Sequence, residues 1–316
     1  MIIKLIDGKY QDKKNRVYNL MTDSSVINGN NKKYAIKAVK ANGLEIRAIS
    51  KKEIYAARGI EYKTGKIYHS YLGWINLLLV NGNEKIGIGC YHYSTLPGTG
   101  EYTAEINGHV ITEKGTCVCD CVGCYAKTGN YNFPSVKKAL LIRTWIIRHD
   151  IEFFYNAVSA QIEADNIKYC RIHAAGDFDN NLKYAFTWRR IAQENSAVKI
   201  WTYTKIKRFE TLFDGLDNAN IVKSLIDGIG INYGHCDYIM QTYEKLTAAE
   251  KKVHICRCGI DKNQHCINCA GCSENEYVLF IEHSTEYIAE KDPRFNDCKA
   301  LIESQEKTAV EKKTAA

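Results

Sequence analysis

Thirteen cysteines stand in this 316-residue chain, and nine of them fall into two clusters. Cys117, Cys119, Cys121 and Cys124 lie within eight positions, in the stretch GTCVCDCVGCYAKTGNYNFP. Cys256, Cys258, Cys266, Cys269 and Cys272 follow in HICRCGIDKNQHCINCAGC. Thiols this close in sequence make poor disulfide partners, so metal binding is the better reading. Cys117, Cys121 and Cys124 have the spacing C-x3-C-x2-C, and the chemical point is the number three. Three thiolates on a four-iron cube leave one iron with an open position, as catalytic zinc sites leave one position open for chemistry. The rival is a structural zinc closed by all four thiols. Tetrahedral zinc normally draws on two separated pairs, because one tight loop surrounds an ion poorly, so we prefer the cluster on geometry. Cys119 is then surplus, idle or an alternative ligand.

The second cluster reads C-x-C-x7-C-x2-C-x2-C. Cys266, Cys269 and Cys272 match the first three spacings of a ferredoxin-type run, with Cys256 or Cys258 available to complete it. The same set suits a structural zinc, and His254 and His265 are alternative ligands. Zinc and an auxiliary iron–sulfur cluster both remain open here. Cys90, Cys170, Cys236 and Cys298 are scattered, and isolated cysteines usually behave as small buried hydrophobes.

The C-x3-C-x2-C loop resembles the signature of the radical S-adenosylmethionine (SAM) enzymes, although the aromatic residue that precedes the third cysteine in that family is replaced by Gly123, and Tyr125 follows instead. The resemblance implies a 4Fe–4S cluster whose open iron holds SAM, an electron donor, and reductive cleavage of SAM to a radical that attacks an unknown substrate. It also implies that a glycine-containing turn after the second strand meets the SAM amino group. Ala175, Gly176 and Asp177, in KYCRIHAAGDFDN, fall where that turn would lie. His173 and Thr202, at the ends of neighbouring strands, are further candidates for cofactor contact. Read from the residues alone, the same turn is a strand end with Asp177 capping the next helix, His173 is a satisfied strand histidine, and Trp201 is core. A second resemblance runs through LLLVNGNEKIG, CYAKTGNY, RIHAAGDF and WTYTK, over roughly residues 75–275, to the uncharacterised gene-product-88 proteins of phages.

The elements that must position these residues are short strands alternating with helices. HSYLGWINLLLV, GIGCYHYS, KYCRIHA, VKIWTYT, GIGINY and YVLFIEH are rich in β-branched and aromatic residues and predict buried strands. Helices are predicted from Ser135, acting as a cap, through Val136, Leu140, Leu141, Trp145, Ile147 and Ile151 towards Phe154 and Val158, and over residues 181–194 and 206–226. This alternation predicts an α/β fold with a parallel sheet, and the radical SAM resemblance makes it a partial (β/α)6-type barrel. We divide the chain into a basic accessory region at 1–66, an α/β domain at 67–290 containing the Cys-rich segment 254–273, and a polar tail at 291–316, whose end ESQEKTAVEKKTAA is expected to be frayed. Within 1–66, KYAIKAVKANGLEIRAIS predicts short strands about an Asn-Gly turn.

A chain of this length buries a sizeable core, and 45% hydrophobic with 25% charged residues is the balance of a globular protein. The longest apolar run, WINLLLV, is strand-sized, so no membrane partner is expected. MIIKLIDGKYQDKK carries no apolar leader, which predicts a cytoplasmic protein of a bacterial or phage-infected cell. The net charge is +7, and residues 1–66 hold 15 Lys and Arg against 6 Asp and Glu. That excess permits a nucleotide or nucleic-acid partner, but no aromatic stacking motif accompanies it. The leading expectation is a radical SAM enzyme; the alternative is a zinc-stabilised nucleic-acid-binding phage protein without enzymatic activity.

Overall fold

The computed structural model describes residues 3–4, 9–11, 17–19, 50–82, 86–120, 124–224, 233–256, 266, 269, 271–281 and 294–314. Three short antiparallel strands, β1 (Ile3–Lys4), β2 (Lys9–Gln11) and β3 (Val17–Asn19), come first. The strands expected in KYAIKAVKANGLEIRAIS lie outside the described residues. Helix α1 (Lys51–Ala56) opens with a capping box: Ser50 Oγ accepts from Glu53 N–H, and Ser50 N–H donates to the Glu53 carboxylate. Its Tyr55 stacks on Tyr62 at 4.8 Å and, with Ile60, enters the main core. A three-stranded antiparallel sheet follows, β4 (Tyr62–Lys63), β5 (Lys66–His69) and β6 (Gly73–Asn76).

The central sheet has five strands. β7 (Val80–Asn81) pairs antiparallel with β8 (Cys90–His92), and β8 is followed in space by β11 (Tyr169–Arg171), β12 (Lys199–Thr204) and β13 (Ala219–Lys223), all parallel. Between β8 and β11 come the hairpin β9 (Glu101–Ile106) and β10 (His109–Lys114), the cysteine loop, and helices α2 (Pro134–His149) and α3 (Ile151–Ala164). Helix α4 (Leu182–Glu194) crosses from β11 to β12, as expected for 181–194. These α/β crossovers account for the parallel pairing.

A second parallel sheet holds β14 (Tyr233–Gly234), β15 (Val253–Cys256) and β16 (Tyr277–Ile281), in the order β14-β16-β15, with α5 (Cys236–Ala248) and the short α6 (Gly271–Glu274). A backbone hydrogen bond from Lys223 to Glu276, 2.7 Å, joins the two sheets. The fold is therefore mixed α/β, and among the described residues its sheets do not close into a barrel.

Three element expectations change. The helix after NFP starts at Pro134, not at a Ser135 cap; proline suits the first helical position because its fixed φ is helical and no N–H is wanted there. It also ends at His149. Asp150, at φ −143°, turns the chain and its carboxylate accepts from Phe153 N–H at 3.0 Å, so a second helix begins. Of the helix expected at 206–226, the described residues 206–224 form no long helix, and 225–226 lie outside the described residues. A short 3-10 turn, Lys207–Phe209, leads through Gly215 (φ +81°) to the strand β13. The segment ESQEKTAVEKKTAA, expected to be frayed, continues α7 (Phe295–Thr314) as far as Thr314, and the first turns of that helix bury Cys298 and Ile302 against the second sheet's core.

The two faces of the central sheet differ. Tyr91, Cys170, Ile172, Ile200 and Ile221 face the helices and share a core with Leu141, Phe154, Val158 and Trp188. Each such large apolar side chain contributes roughly 2–3 kcal/mol by leaving water. On the other face Cys90, Trp201 and Val222 meet Cys256, Cys272 and Val278. No helix among the described residues is long and apolar enough to cross a membrane.

Candidate metal centre

Pairing between the first two parallel strands continues past their ends. Tyr93 N–H donates to Arg171 O, Ala174 N–H to Tyr93 O and Thr95 N–H to Ala175 O, each at 3.0–3.1 Å. The chain then leaves for the β9–β10 hairpin and returns to the same place. Gly115 N–H bonds Gly100 O, Thr116 N–H bonds Leu96 O and Cys117 N–H bonds Gly98 O, at 2.8, 2.9 and 3.2 Å. Three successive backbone bonds thus fix the entry to the cysteine loop.

Thr116 is the joint between this loop and the glycine turn. Its hydroxyl lies 2.8 Å from Thr95 Oγ1, donates to Leu96 O, and accepts from Asp177 N–H at 2.9 Å. Gly176 sits beside it at φ +85°, where a Cβ would stand 2.0 Å from Thr95 Oγ1 and 2.6 Å from Thr116 Oγ1. Only glycine fits, for both backbone angle and space. Cys117 and Ala175–Asp177, some sixty residues apart, are therefore neighbours.

Asp177 is buried, and its carboxylate accepts from Phe178 N–H at 2.7 Å, Thr204 Oγ1 at 2.8 Å and Lys205 N–H at 3.0 Å. It ties the ends of β11 and β12 to the cysteine loop. Burial pushes its pKa up to about 6, against the pull of those hydrogen bonds. His173 adopts φ +59°, a left-handed backbone uncommon outside glycine. Its ring reaches Thr202 Oγ1 at 3.2 Å and Tyr184 Oη at 2.9 Å, all within the helix-covered core. Burial, helped by the Arg171 charge, lowers its pKa to about 3, so it is neutral near pH 7. Ala175 is buried as well. The structure thus gathers Ala175, Gly176 and Asp177 at the cysteine loop, while the His173 ring bonds Thr202 and Tyr184 within the helix-covered core.

Cys117, Cys119 and Cys124 are half-buried, while Cys121 and Gly123 lie outside the described residues. A polar clamp braces the loop. Asp120 accepts from Thr99 N–H and Oγ1 at 3.1 and 2.8 Å and pairs with Lys127 Nζ at 2.5 Å. The Lys127 hydrogen bond, then Thr99, holds the Asp120 carboxyl down to about 2. Lys127 is raised chiefly by Asp120 and also feels the Cys124 and Cys117 sulfurs. An all-sulfur donor set of this kind suits iron–sulfur or zinc and not a hard cation.

The second cysteine segment is held against the face of the central sheet that is turned away from the helices. Asn220 Nδ2 donates to Cys272 O and Asn275 O at 2.8 and 2.9 Å, and Tyr203 Oη lies 2.7 Å from Cys272 Sγ. Gly271 N–H donates to Cys269 Sγ at 3.4 Å, and His254 Nε2 stands 3.8 Å from the same sulfur. Burial, then the Cys266 sulfur, pushes the Cys272 thiol well up, with Cys269 adding to it. Cys256 is buried at the end of β15, and Cys258 and His265 lie outside the described residues. Among the described residues no three His, Cys, Asp or Glu side chains gather as ligands of one metal ion.

Cys90 is the residue that sequence reasoning missed. Burial and the nearby Cys266 sulfur push its thiol up to about 12, so a strand cysteine without a motif borders the second cluster. Only its place on the face opposite Tyr91 hinted at this.

No curated protein and no solved structure matches the chain. A family model described as gene product 88 does, over residues 78–301. That span takes in the central sheet, the cysteine loop, the glycine turn and the second cysteine segment, and the chain belongs to the gene product 88 family of phage proteins.

Proposed function

We propose that this protein is a radical SAM-type enzyme, with a 4Fe–4S cluster on Cys117, Cys121 and Cys124 and with SAM held beside the Ala175–Asp177 turn. The observation that carries the reading is the Thr116 joint. It seats the start of the C-x3-C-x2-C loop, Thr116 and Cys117, which follow the first of four parallel strands, against the glycine turn that follows the second. Two sequence features with no local reason to meet are packed together at the same sheet end, where open α/β sheets bind their ligands. When bound, the cluster would supply the electron that cleaves SAM. The chain's own groups do the positioning. Gly176 lets the turn pack against Thr95 and Thr116, Asp177 holds the turn against β12, His173 and Thr202 brace it from the helix side, and the Asp120–Lys127 pair braces the cysteine loop. In this reading the parallel strands β8, β11, β12 and β13, extended through the Lys223–Glu276 link, form the wall of a partial barrel. The second cysteine set holds zinc or an auxiliary cluster.

The test is anaerobic purification and reconstitution, followed by iron and sulfide analysis and an optical spectrum. We expect a brown protein absorbing near 400 nm that releases 5′-deoxyadenosine from SAM and dithionite, and that loses this release in Cys121→Ala. A colourless protein with two zinc ions would instead support a metal-stabilised binding protein.

A further inference from the structure

The strands β4–β6 leave one face open to solvent, and that face is ordered by chemistry. β5 alternates exposed Lys66, buried Ile67, exposed Tyr68, buried His69; β6 alternates buried Gly73, exposed Trp74, buried Ile75, exposed Asn76. Cross-strand register places Tyr68 opposite Trp74 and Lys66 opposite both Asn76 and Lys63. The outer face is therefore two rows. One is aromatic: Tyr68 and Trp74, 40% and 43% exposed, touch edge-to-face with centroids 5.4 Å apart, and Glu61 flanks them. The other is basic: Lys63 and Lys66, both exposed, stand directly opposite one another.

Both rows are costly in isolation. Like charges directly opposed across a strand pair repel, and among the described residues neither lysine has an ion-pair partner. Two large rings side by side on a solvent face gain little until something covers them. A partner that supplies flat apolar faces and negative charge at strand-pair spacing would relieve both. An unpaired nucleotide strand does so: its bases stack on the rings and its phosphates meet the lysines. Duplex nucleic acid matches less well, because its base faces are already covered. The sequence excess of 15 basic over 6 acidic residues in 1–66 points to the same polyanion. Reading the sequence alone, no stacking motif accompanied this charge; the β5–β6 pairing creates one from residues six apart.

We propose that the outer face of β4–β6 binds single-stranded nucleic acid, with Tyr68 and Trp74 as stacking platforms and Lys63 and Lys66 as phosphate contacts. This does not rest on the iron–sulfur reading and can be tested on the full chain with or without metal. The experiment is fluorescence anisotropy of a labelled oligothymidylate 15-mer, and of the oligouridylate equivalent, at low and high salt. Binding should weaken with salt. Trp74→Ala and Tyr68→Ala should each weaken it about 10-fold or more at both salt concentrations. The double variant Lys63→Ala/Lys66→Ala should flatten the salt dependence by about 1.4 in log–log slope. Trp74→Leu, which keeps apolar bulk and fold but loses the ring, should behave as Trp74→Ala. The proposal is overturned if the oligonucleotides do not bind at low salt, if duplex binds as tightly as single strand, or if either aromatic variant binds as wild type. It is equally overturned if Trp74→Ala dissolves a dimer seen by sedimentation, which would make the face a contact between copies.

Discussion

At the scale of single residues, the site depends on one glycine and one buried carboxylate. Gly176→Ala would force a side chain into a left-handed backbone and within 2.0 Å of Thr95 Oγ1. We expect it to lower unfolding free energy by about 2–4 kcal/mol, measured by denaturant titration. Asp177 predicts a pH dependence. Its folded pKa, about 6, lies above the ordinary aspartate value of 3.8. Folding therefore favours the protonated acid, and this contribution is fully present below about pH 4 and lost as pH rises through 6. Asp177→Asn should remove that portion of the stability–pH curve, on the order of 2–3 kcal/mol between pH 4 and 7. The cysteine clusters and the Gly176–Asp177 turn were legible in the sequence because their chemistry is local and dense. His173 and Thr202 were legible as polar strand-end residues, but not the face they occupy. A left-handed φ at His173 turns its ring towards Tyr184, and nothing in the string HAAGDF announces it.

At the scale of elements, the sequence displays periods and hides breaks. Ile147, Ile151, Phe154 and Val158 continue at helical spacing across Asp150, so periodicity alone joins α2 and α3 into one helix. The sole local sign of the break is a capping residue. Asp150→Ala should cost about 1 kcal/mol, seen as a lowered melting temperature, because it removes both the α3 cap and the 3.2 Å contact with His69. The β9–β10 hairpin was missed although EINGHV carries its signal: Asn107 and Gly108 both take positive φ, as an Asn-Gly two-residue turn requires. Residues 206–226 misled in the opposite sense. Phe209, Leu212 and Phe213 are spaced like a helix face yet are buried by turns, with Arg189 bonding the Leu212 and Asp214 carbonyls.

At the scale of the whole molecule, the alternation of strands and helices fixed the class, α/β with parallel pairing. How the sheets relate was beyond it, because non-local pairing leaves no periodic trace. The two cysteine segments are separated by more than 130 residues, yet each is bound to the central sheet, one at its strand ends through Thr116 and one on the face away from the helices through Asn220 and Tyr203. A metal at either place would link distant parts of the chain. The central claim is that the first segment carries an open-site iron–sulfur cluster, and the most direct measurement is the iron, sulfide and zinc content of anaerobically reconstituted Cys117→Ala/Cys124→Ala beside wild type. The account predicts that the variant stays folded but loses about four irons, the absorbance near 400 nm and all 5′-deoxyadenosine release. Equal iron content in the two proteins, or one zinc ion lost in place of iron, would contradict it.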